Sequence, residues 1–137
     1  MKYTKATNYA LHTIVYMMEN AKSEKLSVSA LAEHFNVSTT YLSKILTQLV
    51  KADLIESTPG TNGGYVLRKN IKSISFMDVI KATEGTGSLF VCNLNENSKC
   101  LIEKVMAEAE NVLENYLEDK KLYDLTQNKS NCKTNKE

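Results

Sequence analysis

"STTYLSKILTQLVKADLIESTPGTNGGYVL", residues 38–67, holds an apolar-striped segment followed by a glycine loop between two short apolar runs. Leu42, Ile45, Leu46, Leu49 and Val50 fall at i, i+3, i+4, i+7 and i+8, the pattern of a helix with one face in a core. The opposite face carries Thr40, Ser43, Lys44, Thr47 and Lys51, with Tyr41 and Gln48 on the flank. No Asp or Glu occurs between Ser38 and Ala52. An ordinary exposed helix mixes Glu with its Lys, because oppositely charged i,i+4 pairs support it. This face instead offers hydroxyl, amide and ammonium groups, which bond phosphates and base edges. Ser38 is the expected N-cap of the helix, since its oxygen can take an orphan backbone N–H.

The loop "TPGTNGG" concentrates three of the five glycines of the chain and its only proline. "LIES" before it and "GYVL" after it predict two short strands. Pro59 is expected at position i+1 of a turn, with the glycines supplying positive φ. The loop is therefore a hairpin tip. A phosphate-binding loop would need, after its strand, a helix start and a Gly-Lys-Ser/Thr ending, neither of which is present. Exposed N–H groups at such a tip can still meet a DNA phosphate or enter a minor groove.

Upstream, Ala10, Ile14 and Met17 recur at helical spacing, with Leu11, Val15 and Met18 beside them, and predict a helix over about residues 4–19. "LSV" is a possible short strand. Ser29 is expected to cap a short helix over 30–35, and "NVS" breaks it from the next. Two helices across a tight break, then a hairpin, make a helix-turn-helix with a wing. In that unit the second helix enters the major groove with its N-terminal residues on the bases. Ser38, Thr39, Thr40, Tyr41, Ser43 and Lys44 are then the candidate base contacts, and Gly60, Thr61, Asn62, Gly63 and Gly64 the wing contacts. Lys2 and Lys5 are candidate phosphate contacts, as are Lys44 and Lys51. The competing reading is a three-helix domain whose polar face is merely solvated.

Downstream, Ser75 is expected to cap a helix ending near Gly85, and a cysteine-bearing loop follows over 86–99. From residue 101 to about 121, Ile102, Val105, Ala109, Val112 and Tyr116 repeat at alternating spacings of 3 and 4. This is an a/d seam, widened by Met106 and Leu113, with Glu103, Glu108, Glu110, Glu114 and Glu118 outside it. A second copy of the chain is the expected partner of the seam, and packing on the first helix of the same chain is the alternative. The expected organisation is a mainly α chain with a small β-hairpin wing: a DNA-binding domain over 1–85, the loop over 86–99, a dimerisation helix over 100–125 and a disordered tail over 126–137.

The chain has 137 residues and a net charge of +1, with 42% hydrophobic residues, as expected of a globular protein. The charge is uneven: residues 1–75 carry +4 and residues 76–137 carry −3, so an anion would meet the first half. No apolar run reaches the roughly 18 residues of a membrane span. Asn8, His12 and Thr13 interrupt the N-terminal apolar run, which argues against a signal peptide. No membrane association and a cytoplasmic location are expected. No Ser/His/Asp set, carboxylate pair or nucleotide loop suggests an enzyme.

These segments together resemble the Rrf-two family of bacterial winged-helix regulators, which includes iron–sulfur cluster, nitric-oxide and cysteine-metabolism regulators. The resemblance rests on "NYALHTIVYM", "LAEHFNVSTTYLSKILTQLVKADLI", "GTNGGYVL" and "ISFMDVIKATEG", and covers about residues 2–125. It implies a homodimer with crossed long helices on a double-stranded operator. It matches Ser38, Thr40, Tyr41 and Ser43 to positions that touch DNA, and the tip from Gly60 to Gly64 to one that enters the minor groove. Two departures imply a different operator: Pro59 stands where many members have arginine, and Ser43 where they often have glutamate.

Three cysteines, Cys92, Cys100 and Cys132, make an odd set that argues against a disulfide framework. Cluster-binding members carry three cysteines before the long helix. Here Cys92 and Cys100 are present, but the third, expected around Val105 and Met106, is absent. A cluster ordinarily takes four ligands, and the spacing and the lone His12 and His34 serve zinc poorly. No cofactor or metal is therefore expected. Three readings stay open: a thiol sensor at Cys92 or Cys100, an iron–sulfur site completed by other ligands, or ordinary small residues. For the whole protein, a redox-responsive repressor competes with an iron–sulfur or nitric-oxide sensor, and with an adaptor that uses the winged helix without DNA.

Overall fold

A computed structural model of the chain describes residues 3–20, 25–68, 70–94 and 100–127. In order, its elements are α1 (Lys5–Asn20), α2 (Val28–Phe35), α3 (Thr39–Lys51), β1 (Ile55–Thr58), β2 (Gly64–Leu67), a 3₁₀ turn (Ile71–Ser73), α4 (Phe76–Glu84), α5 (Leu101–Asp119) and α6 (Tyr123–Thr126). The expected winged helix-turn-helix is the observed fold.

The stripe of α3 lies in the core: Leu42, Ile45, Leu46 and Leu49 are buried with Ala10, Ile14 and Met17 of α1, Leu31 of α2, Ile55 of β1 and Val79 of α4. Each large aliphatic side chain so buried contributes about 1.5–3 kcal/mol.

The turn between α2 and α3 has a local cause. Asn36 adopts the left-handed conformation, φ 57° and ψ 48°, which Asn tolerates better than most residues. The Val37 N–H then donates to the Ala32 carbonyl at 3.0 Å, and the Asn36 N–H to the Glu33 carbonyl at 3.2 Å. This closes the helix in a Schellman arrangement, with Val37 packed against the core. Ser38 begins the next helix by accepting the Tyr41 N–H on its Oγ at 3.0 Å. The start of α2 differs from expectation: Ser27, not Ser29, is the N-cap, accepting the Ala30 N–H at 3.1 Å. Two serines flank Val28, and only the earlier start lets the Leu31 N–H reach the Ser27 carbonyl, at 3.1 Å.

The wing is an antiparallel pair with Ile55 opposite Leu67 and Thr58 opposite Gly64. The expected "LSV" strand is reduced to one bridge, between Leu26 and Tyr65. At the tip the Gly63 N–H donates to the Gly60 carbonyl at 3.0 Å. Thr61 and Asn62 therefore hold the central turn positions, and Pro59 precedes the turn rather than occupying i+1.

Beyond the wing, Ser75 and Asp78 form a reciprocal capping box at the start of α4. The end of α4 meets the start of α1. Glu84 Oε2 accepts the Thr4 N–H at 3.0 Å and the Thr4 hydroxyl at 2.8 Å, and the Thr7 hydroxyl donates to the same oxygen. The Thr7 hydroxyl, then the Thr4 N–H, hold the Glu84 carboxyl below its ordinary range.

The long helix ends at Asp119, slightly before expectation. The chain then returns to the body: the Phe76 N–H donates to the Lys120 carbonyl and the Leu122 N–H to the Ile74 carbonyl, each at 3.0 Å. Leu122 is fully buried in the core. The segment expected to be part of a free-standing helix is thus an anchor. Of the tail expected over 126–137, residues 128–137 lie outside the described residues, and Thr126 closes α6. No helix among the described residues is long and apolar enough to cross a membrane.

Candidate nucleic-acid interface

The exposed face of α3 is the centre of the candidate surface. Thr39, Thr40, Lys44, Thr47 and Lys51 are exposed and Ser43 is half-buried. Thr39, Thr40, Ser43 and Lys44 line one shallow recess together with Val28, from the first turn of α2. Val28 was not among the residues expected at the site. Its sequence signal is weak, because one valine between two serines has no periodic companion.

Not every hydroxyl on this face is available. The Ser38 Oγ serves as the helix cap, and the Thr47 hydroxyl donates to the Ser43 carbonyl at 2.9 Å. Thr39, Thr40 and Ser43 therefore hold the side-chain hydroxyls of the N-terminal half that have no such internal role. Tyr41 is half-buried, with its ring edge-on to Tyr9 at 5.8 Å and 83°. Tyr9 also meets Phe35 at 6.1 Å, and Tyr16 meets Phe35 at 5.9 Å. Edge-to-face pairs of this kind are each worth about 0.5–1.5 kcal/mol. They fix the setting of α3 against α1 and α2, so Tyr41 acts on the surface partly by orienting its helix. His34 stacks on Tyr16 at 3.9 Å, and His12 Nδ1 lies 2.9 Å from the Asn8 carbonyl.

At the wing, Gly60, Thr61 and Asn62 are exposed, whereas Gly63 is half-buried and Gly64 buried. The exposed tip is thus shorter than the expected stretch from Gly60 to Gly64. Gly60 has φ +101°, a conformation that L side chains rarely adopt. Gly63 is needed for closeness: a Cβ there would stand 1.9 Å from the Thr58 carbonyl oxygen. Gly64 opens β2, and a Cβ there would meet the Leu26 carbonyl oxygen at 2.9 Å. Lys5 is exposed at the first position of α1, and Lys2 lies outside the described residues.

The cysteines sit apart from this surface. Cys100 is the N-cap of α5, its Sγ accepting the Glu103 N–H at 3.4 Å. Cys92 is half-buried in the loop, and neither residue is in a disulfide. Cys132 lies outside the described residues. The loop is pinned to α5 where the Leu89 N–H approaches both carboxylate oxygens of Glu110 at 3.2 Å. A glutamate expected only to solvate the helix thus positions the loop. No group of three His, Cys, Asp or Glu among the described residues is placed to hold a metal ion.

On α5, Ile102, Val105, Val112 and Tyr116 are between 60% and 70% exposed, and Ala109 is exposed beside them. Within the chain α5 packs beside α4. The five a/d positions of the expected seam are left uncovered, and of the two residues that widen it Met106 is exposed and Leu113 half-buried.

The Rrf2 family model, described as iron-dependent transcriptional regulator, matches residues 3–128. YwgB of Bacillus subtilis, whose name assigns it to the HTH-type transcriptional regulators, is 32% identical over 128 residues, 89% of this chain and 82% of its own. NsrR of Halalkalibacterium halodurans, an HTH-type transcriptional regulator, is 33% identical over 105 residues, 77% of this chain and 72% of its own. The solved structure of CymR, the global cysteine regulator of B. subtilis, is similar with a TM-score of 0.72 and 25% identity, over 95% of this chain and 99% of that one. These relatives are transcriptional regulators, not enzymes.

Proposed function

Since this chain belongs to the Rrf2 family of transcriptional regulators, we propose that it is a cytoplasmic, dimeric repressor that binds a double-stranded operator and answers to a thiol-reactive signal. The observation that carries the DNA-binding part is the exposed, acid-free face of α3. Thr40, Ser43 and Lys44 would read the major groove. Thr39, Lys5 and Lys51 would hold phosphates, and Gly60, Thr61 and Asn62 would meet the backbone or minor groove. The uncovered seam of α5 supports the dimer, which would place two copies of this face on two half-sites. Repression follows if a bound dimer blocks access to a promoter.

The test is binding to the DNA upstream of its own gene, followed by fluorescence anisotropy across a salt series. Affinity should fall steeply with salt. Lys44→Ala should weaken binding by about 1–3 kcal/mol, and Lys51→Ala should lower the log–log salt slope by about 1. Unchanged affinity would remove Lys44 and its face from the interface. An adaptor would instead show salt-insensitive, weak retention on heparin and no preference for the upstream fragment.

The redox part rests on Cys100 at the head of α5 and Cys92 in the loop that Glu110 pins to it. Peroxide would convert a thiolate to a sulfenic acid with release of hydroxide, and reductant would reverse it. Cys100→Ser keeps an N-cap oxygen, so loss of the oxidant response in that variant would report on sulfur rather than on helix fraying. DNA binding indifferent to oxidant in the unaltered protein would discard the redox part and leave the DNA-binding part standing.

A further inference from the structure

From the recess at the head of the recognition helix, we infer that Val28 is a specificity residue that receives the C5-methyl group of a thymine in each half-site. This rests on the DNA-binding reading above and names a base contact for it. The recess is bounded by Thr39, Thr40, Ser43 and Lys44 from the first half of α3 and by Val28 from the first turn of α2. Its lining is mostly carbon, although it lies on the polar face of α3. Val28 is fixed there, because it also packs against the core and begins a helix capped by Ser27.

The chemistry of the bases selects the occupant. In the major groove only thymine presents a methyl group, and an acceptor, O4, lies beside it. Cytosine and adenine present exocyclic amines, which call for an acceptor such as a carboxylate. None of the five lining residues is acidic, and Lys44 can only donate. A thymine with its methyl against Val28 and its O4 toward Lys44 or Ser43 covers the apolar side chain and gives a donor of the recess its acceptor. An exocyclic amine would find an acceptor only in the hydroxyls of Thr39, Thr40 or Ser43 and would face the Lys44 ammonium, while a guanine would suit Lys44 through O6 and N7; each leaves the valine uncovered, and only thymine brings it a methyl. The position of the recess agrees, since the N-terminal residues of a recognition helix are those that reach base edges.

The experiment uses the full chain and duplexes of its own upstream site, with each thymine replaced in turn by deoxyuridine, which deletes the methyl and nothing else. One thymine in each half-site should lose about three- to four-fold in affinity, the scale of one buried methyl group. With Val28→Ala the same replacement should cost nothing further. Val28→Thr keeps the shape and one γ-methyl, so it should retain part of the effect while preserving the fold, checked by circular dichroism. If no replacement weakens the unaltered protein, or if Val28→Ala suffers the same loss on replacement as the unaltered protein, the assignment to Val28 is overturned. In that case salt-dependent binding and the Lys44→Ala effect would persist, so the DNA-binding reading would survive. Failure to bind any upstream duplex would overturn both.

Discussion

Two single residues carry more of the fold than their side chains suggest. Asn36 makes the helix-turn-helix turn by sitting at φ 57°, where the Val37 N–H can close α2. A left-handed residue with a Cβ and no compensating polar group costs roughly 1–2 kcal/mol. Asn36→Ala should therefore lower stability by about 1 kcal/mol in urea denaturation, and Asn36→Gly should not. Equal losses in both variants would mean that the amide side chain, rather than the backbone conformation, is what matters. Thr13 is the opposite case. It is fully buried on α1, and its hydroxyl has no hydrogen-bond partner among the described residues. An unpaired buried hydroxyl costs on the order of 1–3 kcal/mol. Thr13→Val removes it at nearly constant shape and should hold or raise stability, by up to about 1 kcal/mol. A clear loss would show that the hydroxyl is bonded in solution.

At the scale of elements, the contact between the start of α1 and the end of α4 makes a pH prediction. Glu84 accepts from Thr4 and Thr7, and this lowers its pKa. A carboxyl lowered in the folded state stabilises the fold above its unfolded pKa, about 4.3, and that contribution is lost as pH falls through the lower folded value. The stability gap between the unaltered protein and Glu84→Gln should thus be open at pH 7 and close under acid, in parallel denaturant titrations. A gap equal at both pH values would separate Glu84 from α1. The element scale also shows what the sequence could and could not disclose. The stripe of α3, the capping serines Ser38 and Ser75 and the glycine hairpin were all legible, because each is a repeated or local signal. Ser27 against Ser29 was not, since both are good caps and only the tertiary position of Leu31 decides. Nor was Leu122, one apolar residue beside charged Lys120 and Lys121, whose burial depends on pairing with Ile74 from a distant segment. Glu110 reads as solvated charge, and nothing in the sequence marks Glu84, until the fold sets backbone N–H groups beside them.

At the scale of the molecule, the placement of α5 makes a statement about assembly. The DNA-binding body is closed by Leu122, while α5, 19 residues long, keeps its seam open. A helix of that length spans about 28 Å, and one stripe on it is small beside the roughly 800 Å² per partner of a standard interface. Leu89, Val91 and Leu94 are also exposed just ahead of α5, and the Leu89–Glu110 contact holds that segment against the helix. Seam and loop together would form one apolar surface that a second copy can cover. Val105→Glu combined with Val112→Glu puts two like charges into the seam of each copy without touching the core. Sedimentation should then change from dimer to monomer, and the body should keep its helical circular dichroism. Operator affinity should fall much further than for one lost contact, because the two half-sites would no longer be bound as one. A dimer that survived both substitutions would move the interface off α5, and with it the geometry that sets the distance between the two recognition helices.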